Sequence, residues 1–443
     1  MENDFCYFEN HDCKYYPCHK DCEHINCMFC YCPFYNLEKC PGSPSYIYKT
    51  GIKIKKCTDC VFPHKKENYK QIIEFLKMKK NECKKEVEYF HGGECFFKKE
   101  CADYSDIKFD FSVNTNPLGS PKGIRHLIKK NIDLCSEYPD RNCSQLKKGL
   151  QKKYALNSDY ILIGNGASEL ISLIARNLKM QNRSLAFLVE PTFSGYKRAL
   201  LANDFKIENF LLKEEDNFNL GEGFINSIPK NTDVIFLCNP NNPTGTLLSK
   251  NIVKRILNFC KENNIFLVID ECFIEFLEDE KKYSAIEFVE EYKNLIVLNA
   301  FTKTYALAGL RLGFAFCSDI NFIKNIQALQ SEWSVSVFAQ MAGAAALKEK
   351  AFLQKTMKML NREKRYLKKE FDSLGIKYFN TCANFILIKT EKYVYEKLLK
   401  EKILVRSCCN FQNLNERFLR ISIQKHGRNK ILIRTLKRIL NDR

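Results

Sequence analysis

Three short runs constrain this fold more than any other feature: Asp233–Leu237, Ile265–Ile269 and Leu295–Leu298. Each is apolar at nearly every position rather than at every second one. A strand of that kind is buried on both faces, as in parallel sheets covered by helices. The flanking sequence supplies more strands, at Tyr160–Ile163, Leu185–Val189 and Gly313–Cys317. It also supplies helices at Ala167–Leu178, near Gly195–Asn203 and at Ile252–Asn263. This alternation predicts an α/β fold with a mainly parallel sheet wrapped by helices. A long helical stretch, roughly Phe338–Leu374, then precedes strands at Phe385–Ile388, Ile403–Val405 and Phe418–Ile423. That end predicts a smaller α/β domain. No internal repeat is visible.

Residues that can carry chemistry sit where the strands end. Gly164-Asn165-Gly166-Ala167-Ser168 joins a strand to a helix N-terminus, where backbone N–H groups, the helix dipole and a hydroxyl can hold a phosphate. It is not a dinucleotide fingerprint, because Glu169 stands where the third glycine would be. Asn239-Pro-Asn-Asn-Pro-Thr-Gly245 reads as a tight turn after a buried strand. Asp270 follows Ile269, at a place where a carboxylate can face a ligand crevice, although a lone Asp there more often caps a helix. Thr302-Lys303 comes just after Leu295–Leu298, and Arg311 lies eight residues beyond the lysine. A lysine after an apolar strand is usually a solvated charge, whereas an arginine offers a two-pronged donor to a phosphate. Each element alone is ambiguous, and the combination at these separations is specific.

The combination resembles the cofactor site of fold-type I pyridoxal 5'-phosphate (PLP) enzymes, in the histidinol-phosphate aminotransferase branch, from His91 to Arg443. The resemblance implies a large domain with a mainly parallel sheet, a smaller α/β domain, and PLP. Lys303 would carry the cofactor covalently and Asp270 would pair with its pyridine nitrogen. Phe193 would stack on the ring and Asn242 would bond the ring hydroxyl. Gly166, Ala167, Ser168, Thr302 and Arg311 would surround the phosphate. Tyr138 resembles a tyrosine that reaches the phosphate of the neighbouring subunit, which implies a homodimer with shared sites. The expected divisions are an arm with part of the small domain over 91–140, the PLP domain over 141–330 and the small domain over 331–443.

Within that branch the chain is most similar to the threonine-phosphate decarboxylases of cobalamin biosynthesis. The segments carrying this are His91–Gly93, Asp110–Gly119, Glu332–Ser336 and Val405–Arg420. Phe273 adds to it, because the aminotransferases usually carry Tyr at that place. Ala300 departs from the pattern, since relatives often have Ser or Thr there. The implied reaction removes the carboxylate of L-threonine O-3-phosphate and returns a proton to Cα from Lys303, giving aminopropanol phosphate. Asn116, Arg406 and Arg420 would line the substrate pocket, with the division of phosphate and carboxylate between the arginines left open. Histidinol-phosphate aminotransferase is the alternative.

Thirteen of the 22 cysteines lie at or before Cys101, and ten at or before Cys60, which sets off residues 1–66 as a separate head. Its order is Cys13, Cys18, His19, Cys22, Cys27, Cys30, Cys32, Cys40, Cys57, Cys60 and His64. Short Cys-x2-Cys pairs near histidines suit tetrahedral zinc, with iron as the alternative metal. Disulfides compete and are disfavoured in a reducing compartment. The eleven candidates could fill two four-ligand sites with three to spare, and their partition stays open. The head also resembles a small cysteine-rich domain joined to cobalamin-pathway proteins. That implies a structural or docking role, or alternatively a threonine kinase contribution. Residues 67–90 predict an amphipathic helical linker through Ile72, Ile73, Phe75, Leu76 and Met78.

The formal charge of +18 invites a nucleic-acid partner. Lysines spread along solvated helix faces explain it better, and the same field suits a small phosphorylated substrate. No apolar run is long enough to span a membrane, and Met1–Cys6 shows no basic region followed by an apolar stretch. The expectation is a cytoplasmic protein bound neither to membrane nor to nucleic acid.

Overall fold

The computed structural model describes residues 7–19, 22, 24–30, 32–35, 40–49, 52–57, 59–76, 106–391 and 394–441. The chain divides into two compact units, Met1–Tyr89 and Phe90–Arg443. The His91–Gly93 segment and most of the expected linker helix lie outside the described residues.

The first unit contains an antiparallel hairpin, β1 (Ser45–Lys49) and β2 (Ile52–Lys56), paired from Ser45↔Lys56 to Lys49↔Ile52. Single turns of 3-10 helix lie at Cys27–Phe29 and Phe62–His64. A helix begins at Tyr69 and is described as far as Leu76. Its Ile72 is fully buried, and its Phe75 ring lies 4.4 Å from that of Phe34. The apolar side of this helix therefore completes a very small core with Ile25 and Phe34. Among the described residues of this unit few apolar groups are buried, and domains with so small a core recruit metals or cross-links.

In the second unit, β3 (Phe109–Asp110) precedes a seven-stranded sheet. Its strands are β4 (Ile161–Gly164), β5 (Leu185–Glu190), β6 (Lys206–Leu211), β7 (Val234–Cys238), β8 (Phe266–Asp270), β9 (Leu295–Ala300) and β10 (Gly313–Phe316). Their order is β4-β10-β9-β8-β7-β5-β6. Neighbours from β9 through β6 run parallel, and β10 runs antiparallel to both of its neighbours. The three apolar runs are the central strands β7, β8 and β9, buried at every position. Ile235, Leu267, Ile269 and Val297 enter the core on one face, with Leu146 and Ile256 of the helices Ser144–Tyr154 and Lys250–Glu262. Phe236, Val268, Ile296 and Leu298 enter the other, with Ile174, Tyr196 and Phe322 from three further helices.

A smaller antiparallel sheet follows: β11 (Lys377–Tyr378), β12 (Phe385–Lys389), β14 (Arg406–Ser407) and β15 (Phe418–Ser422), in the order β11-β12-β15-β14. The intervening β13 (Ile403–Leu404) pairs in parallel with β3. The arm around residue 110 thus forms a two-stranded sheet with β13, and it meets β15 where the Ser422 amide donates to Phe111 O at 2.9 Å. Several details differ from expectation. The long helical stretch is two helices, Val337–Ala346 and Lys350–Ser373. The strand-rich end closes with a helix, His426–Asn441. A helix at Ile320–Leu329 and the strand β6 are additional. β6 is an edge strand with charged and partly exposed residues, so it lacks the two-sided apolar pattern of its neighbours.

Candidate active site

A cavity of about 720 Å³ opens beyond the C-terminal ends of the central strands. That is the position where an open α/β sheet leaves room for a ligand. Asp270 is the last residue of β8 and lines it; Lys303 lies on one helical turn, Phe301–Thr304, immediately after β9. Burial, then the charge of Arg420, pulls the Lys303 ammonium down to about 8, with Arg311 adding to the effect. Its Nζ lies 6.0 Å from the centre of the Phe273 ring.

Asp270 already accepts two hydrogen bonds. The Tyr196 hydroxyl donates to Oδ2 at 2.6 Å and the Cys272 amide to Oδ1 at 2.9 Å. Tyr196 was missed in the sequence. A signal existed: it lies three residues after Phe193, a spacing that shares a helix face, and the two rings meet edge to face at 5.4 Å. Glu271 turns elsewhere, accepting from Ser284 Oγ at 2.7 Å and the Ala285 amide at 2.6 Å.

The Asn239–Gly245 turn is held by its own amides. Asn241 Nδ2 donates to Pro191 O and Thr244 Oγ1, each at 2.9 Å, and the Gly245 amide closes onto Asn241 O at 2.7 Å. Gly245 has φ +75, and a Cβ there would fall 2.1 Å from Thr381 Oγ1. This leaves Asn242 facing the cavity, its Oδ1 accepting from Arg420 Nη1.

Arg420 is buried and further tied by Nη2 to Ser112 O at 2.7 Å. With its amide oxygen turned toward the guanidinium, Asn114 accepts from Arg420 Nε at 3.1 Å. Burial brings the Arg420 guanidinium down to about 10, and Arg406 contributes. Arg406 is the direct cross-strand partner of Arg420 in the β14–β15 pair. It is buried too, donates to Asn410 Oδ1 at 2.9 Å and lies over the Phe411 ring at 5.3 Å. Like charges placed opposite one another on a sheet repel, and an anion between them would relieve that repulsion.

Two expected residues lie elsewhere. Asn116 does not line the cavity. Its Nδ2 donates to Thr304 O and Thr356 Oγ1, each at 2.8 Å, and its backbone amide to Lys303 O at 2.9 Å. It braces the lysine turn from behind, and Ser112 and Asn114 line the cavity in its stead. Tyr138 is 79% exposed, its ring against Trp333 at 4.5 Å, away from the cavity of its own chain.

The remaining residues form a cradle against which PLP can be tested. Gly166 has φ +81, and a Cβ there would fall 2.8 Å from Arg311 Nη2; one on Gly313 would fall 2.5 Å from the Ala167 nitrogen. The N-terminus of the helix Ala167–Met180 and the Arg311 guanidinium therefore meet around an opening only glycine leaves, with Ser168 and Thr302 on the same wall. Phosphate donors, a carboxylate for a ring nitrogen, a lysine amine and the Phe193 ring in one cavity fit PLP. Ala300 contributes a methyl group to this wall.

In the head, the possible ligand atoms of Cys18, His19 and His64 all lie within 4.8 Å of one another. The other candidates, Cys13, Cys22, Cys27, Cys30, Cys32, Cys40, Cys57 and Cys60, are, like Cys18, in no disulfide among the described residues. No described helix is long and apolar enough to cross a membrane.

The sequence matches the family model for aminotransferase class I and II over residues 106–436, and that for a cysteine-rich small domain over residues 4–87. A threonine-phosphate decarboxylase from Salmonella typhimurium is 33% identical over 339 residues, covering 76% of this chain and 92% of the relative. An adenosylcobalamin biosynthesis bifunctional protein from Leptospira interrogans is 33% identical over 357 residues, covering 77% of this chain and 40% of that protein. The crystal structure of the histidinol-phosphate aminotransferase from Clostridium acetobutylicum matches with a TM-score of 0.71 at 30% identity, over 76% of this chain and 100% of that one. With its sheet order, its lysine turn and these matches taken together, the chain belongs to the aminotransferase class I and II family.

Proposed function

We propose that this chain decarboxylates L-threonine O-3-phosphate to aminopropanol phosphate, with PLP as cofactor, as a step of cobalamin biosynthesis. The observation that carries the reading is the pair of buried arginines, Arg406 and Arg420, set opposite each other in the cavity that holds Lys303 and Asp270. Such a pair suits a small substrate bearing two anionic groups. PLP, when bound, supplies an electron sink for the pair of electrons left at Cα.

The chain's own residues do the rest. Gly166, Ala167, Ser168, Thr302 and Arg311 grip the cofactor's phosphate, Asn242 its ring hydroxyl and Asp270 its ring nitrogen. Lys303, with its ammonium lowered to about 8, holds an amine able to give and take a proton near neutral pH at Cα. Phe273 brings an apolar ring toward that amine and no hydroxyl. Arg420 is clamped by three oxygen atoms, which makes it a rigid grip. A homodimer belongs to the same reading, with the exposed Tyr138 of each chain completing the phosphate site of the other. Within the same reading the protein works in the cytoplasm, a reducing compartment in which thiols persist.

Histidinol-phosphate amino transfer is the second reading, favoured by the likeness to the Clostridium acetobutylicum enzyme. Supplying threonine phosphate and histidinol phosphate separately, and identifying the products by mass, decides. We expect aminopropanol phosphate and carbon dioxide from the first without any 2-oxo acid. Turnover of histidinol phosphate alone, dependent on a 2-oxo acid, would overturn the proposal. For the head we favour a structural or docking role. A threonine kinase contribution requires that the full chain make threonine phosphate from ATP and threonine.

A further inference from the structure

Two buried charges stand behind the cavity wall rather than in it. Lys153, next to last in the helix Ser144–Tyr154, forms an ion pair with Glu275 of the 3-10 turn Ile274–Phe276. Their side chains are 20% and 6% exposed, and neither lines the cavity. Lys153 Nζ also lies 4.9 Å from the centre of the Tyr154 ring, which packs on Phe314 and Phe316 of β10 at 6.0 and 5.0 Å. Burial alone would pull the Lys153 ammonium down, but Glu275, followed by Tyr154, Tyr305 and Glu280, holds it above its ordinary value. A buried pair of this kind gains little stability over apolar residues of the same size. Its place is better explained by what it holds.

Glu275 comes two residues after Phe273. The turn between them is closed by the Ile274 amide on Glu271 O at 2.9 Å and the Phe276 amide on Phe273 O at 3.1 Å. So short a turn passes any pull on Glu275 to Phe273. The Phe273 ring lies edge to face on Phe385 at 5.2 Å, and its centre is 6.0 Å from Lys303 Nζ. Tyr305 approaches from the lysine side. It is buried two residues past Lys303, with its ring against Phe301 at 5.7 Å and Phe352 at 6.5 Å. Burial and then the charge of Glu275 push its hydroxyl up. One carboxylate is thus carried by the turn of Phe273 and felt on the turn of Lys303. Its partner, Lys153, anchors it to the helix that leads into β4 and the phosphate loop at Gly164.

We propose that Lys153 and Glu275 are positioning residues for the decarboxylation: the pair holds the Phe273 ring close to Lys303, keeps water off the amine and fixes the wall against which the substrate's Cα is set. This rests on the reaction assigned above and on Lys303 as the cofactor lysine.

The test compares the full chain with Lys153→Met, Lys153→Arg and the double variant Lys153→Met/Glu275→Leu. The first leaves a buried carboxylate unpaired and should lower the melting temperature, whereas the double variant should keep it. Rates of PLP capture by the apoprotein are then followed against pH. Burial is the largest cause of the lowered Lys303 ammonium, and Arg420, Cys272, Arg311 and Asp270, which also face it, are unaltered. In the double variant water reaches the amine, so the midpoint should rise from about 8 toward the ordinary lysine value. A rise of about one pH unit slows capture near neutral pH by about tenfold. With threonine phosphate, kcat should fall by a similar factor while KM holds, because Arg406 and Arg420 are untouched. Lys153→Arg restores the pair and should restore both readouts. A midpoint that stays near 8, or a loss confined to KM, overturns the proposal. Where the double variant does not fold, Glu275→Asp decides: it keeps the charges and shortens the carboxylate arm, and an unmoved midpoint there is equally fatal. If the unaltered chain makes no aminopropanol phosphate, the assigned reaction fails, and the capture profile still judges the pair.

Discussion

Asp270 meets any ligand with two hydrogen bonds already made, from the Tyr196 hydroxyl and the Cys272 amide. A hydrogen bond to a charged group contributes about 1.5–3 kcal/mol. Tyr196→Phe should therefore weaken PLP retention by about ten- to a hundredfold, measured by equilibrium dialysis; unchanged retention would show that the bond does no work for the cofactor. Lys303 gives a pH prediction. Its ammonium is lowered from the usual lysine value to about 8, so the neutral amine, the form that attacks a carbonyl, grows as pH rises through about 8. The rate at which the apoprotein captures PLP should climb across that range and then level off in stopped-flow absorbance. A flat profile would contradict the lowered value. Arg406→Ala removes one of two anion donors. It should raise KM for the phosphorylated substrate by about ten- to a hundredfold, with PLP absorbance unchanged. At this scale much was legible, because a lysine, an aspartate and an arginine at fixed separations have few other uses. Asn116 was not. Asn114 and Asn116 lie two residues apart on one arm, and only the packing of that arm against Thr304 and Thr356 shows which amide is used as a brace.

Elements bring these groups together through the central strands. Those strands were readable in the sequence because both of their faces are buried, so alternation is absent. The edge strand β6 lacked that signature. The terminal helix His426–Asn441 carries Leu432, Ile433, Leu436 and Ile439 at helical spacing, but basic residues separate them. The break between Val337–Ala346 and Lys350–Ser373 has no proline or glycine to announce it. The turn after β7 yields a prediction of its own. Gly245→Ala places a methyl group against Thr381 at a positive φ. It should destabilise the fold by more than about 1 kcal/mol, lowering the melting temperature, and should shift Asn242 enough to weaken PLP binding. Restoring both with Thr381→Ala would identify the contact as the cause for space, and a residual deficit would measure the backbone strain.

The whole molecule carries a formal charge of +18, and its candidate substrate is an anion. Charges of this sign raise the encounter rate of anionic ligands, and salt screens them over about 8–10 Å. We expect kcat/KM to fall severalfold when ionic strength rises from low to physiological values and beyond, with kcat nearly constant. Insensitivity to salt would assign the lysines to solubility alone. One further consequence follows from the antiparallel strand beside β9. Ala300 and Gly313 are paired across β9 and β10, so the excursion bearing Lys303 and Arg311 departs from one rung of the ladder and returns to the same rung. Amine and guanidinium thus behave as the two jaws of a caliper whose hinge is the sheet. Its opening is set by loop length together with the Asn116 brace on the lysine turn, so adding one residue between Lys303 and Arg311 would misgauge the cofactor while leaving every strand in register.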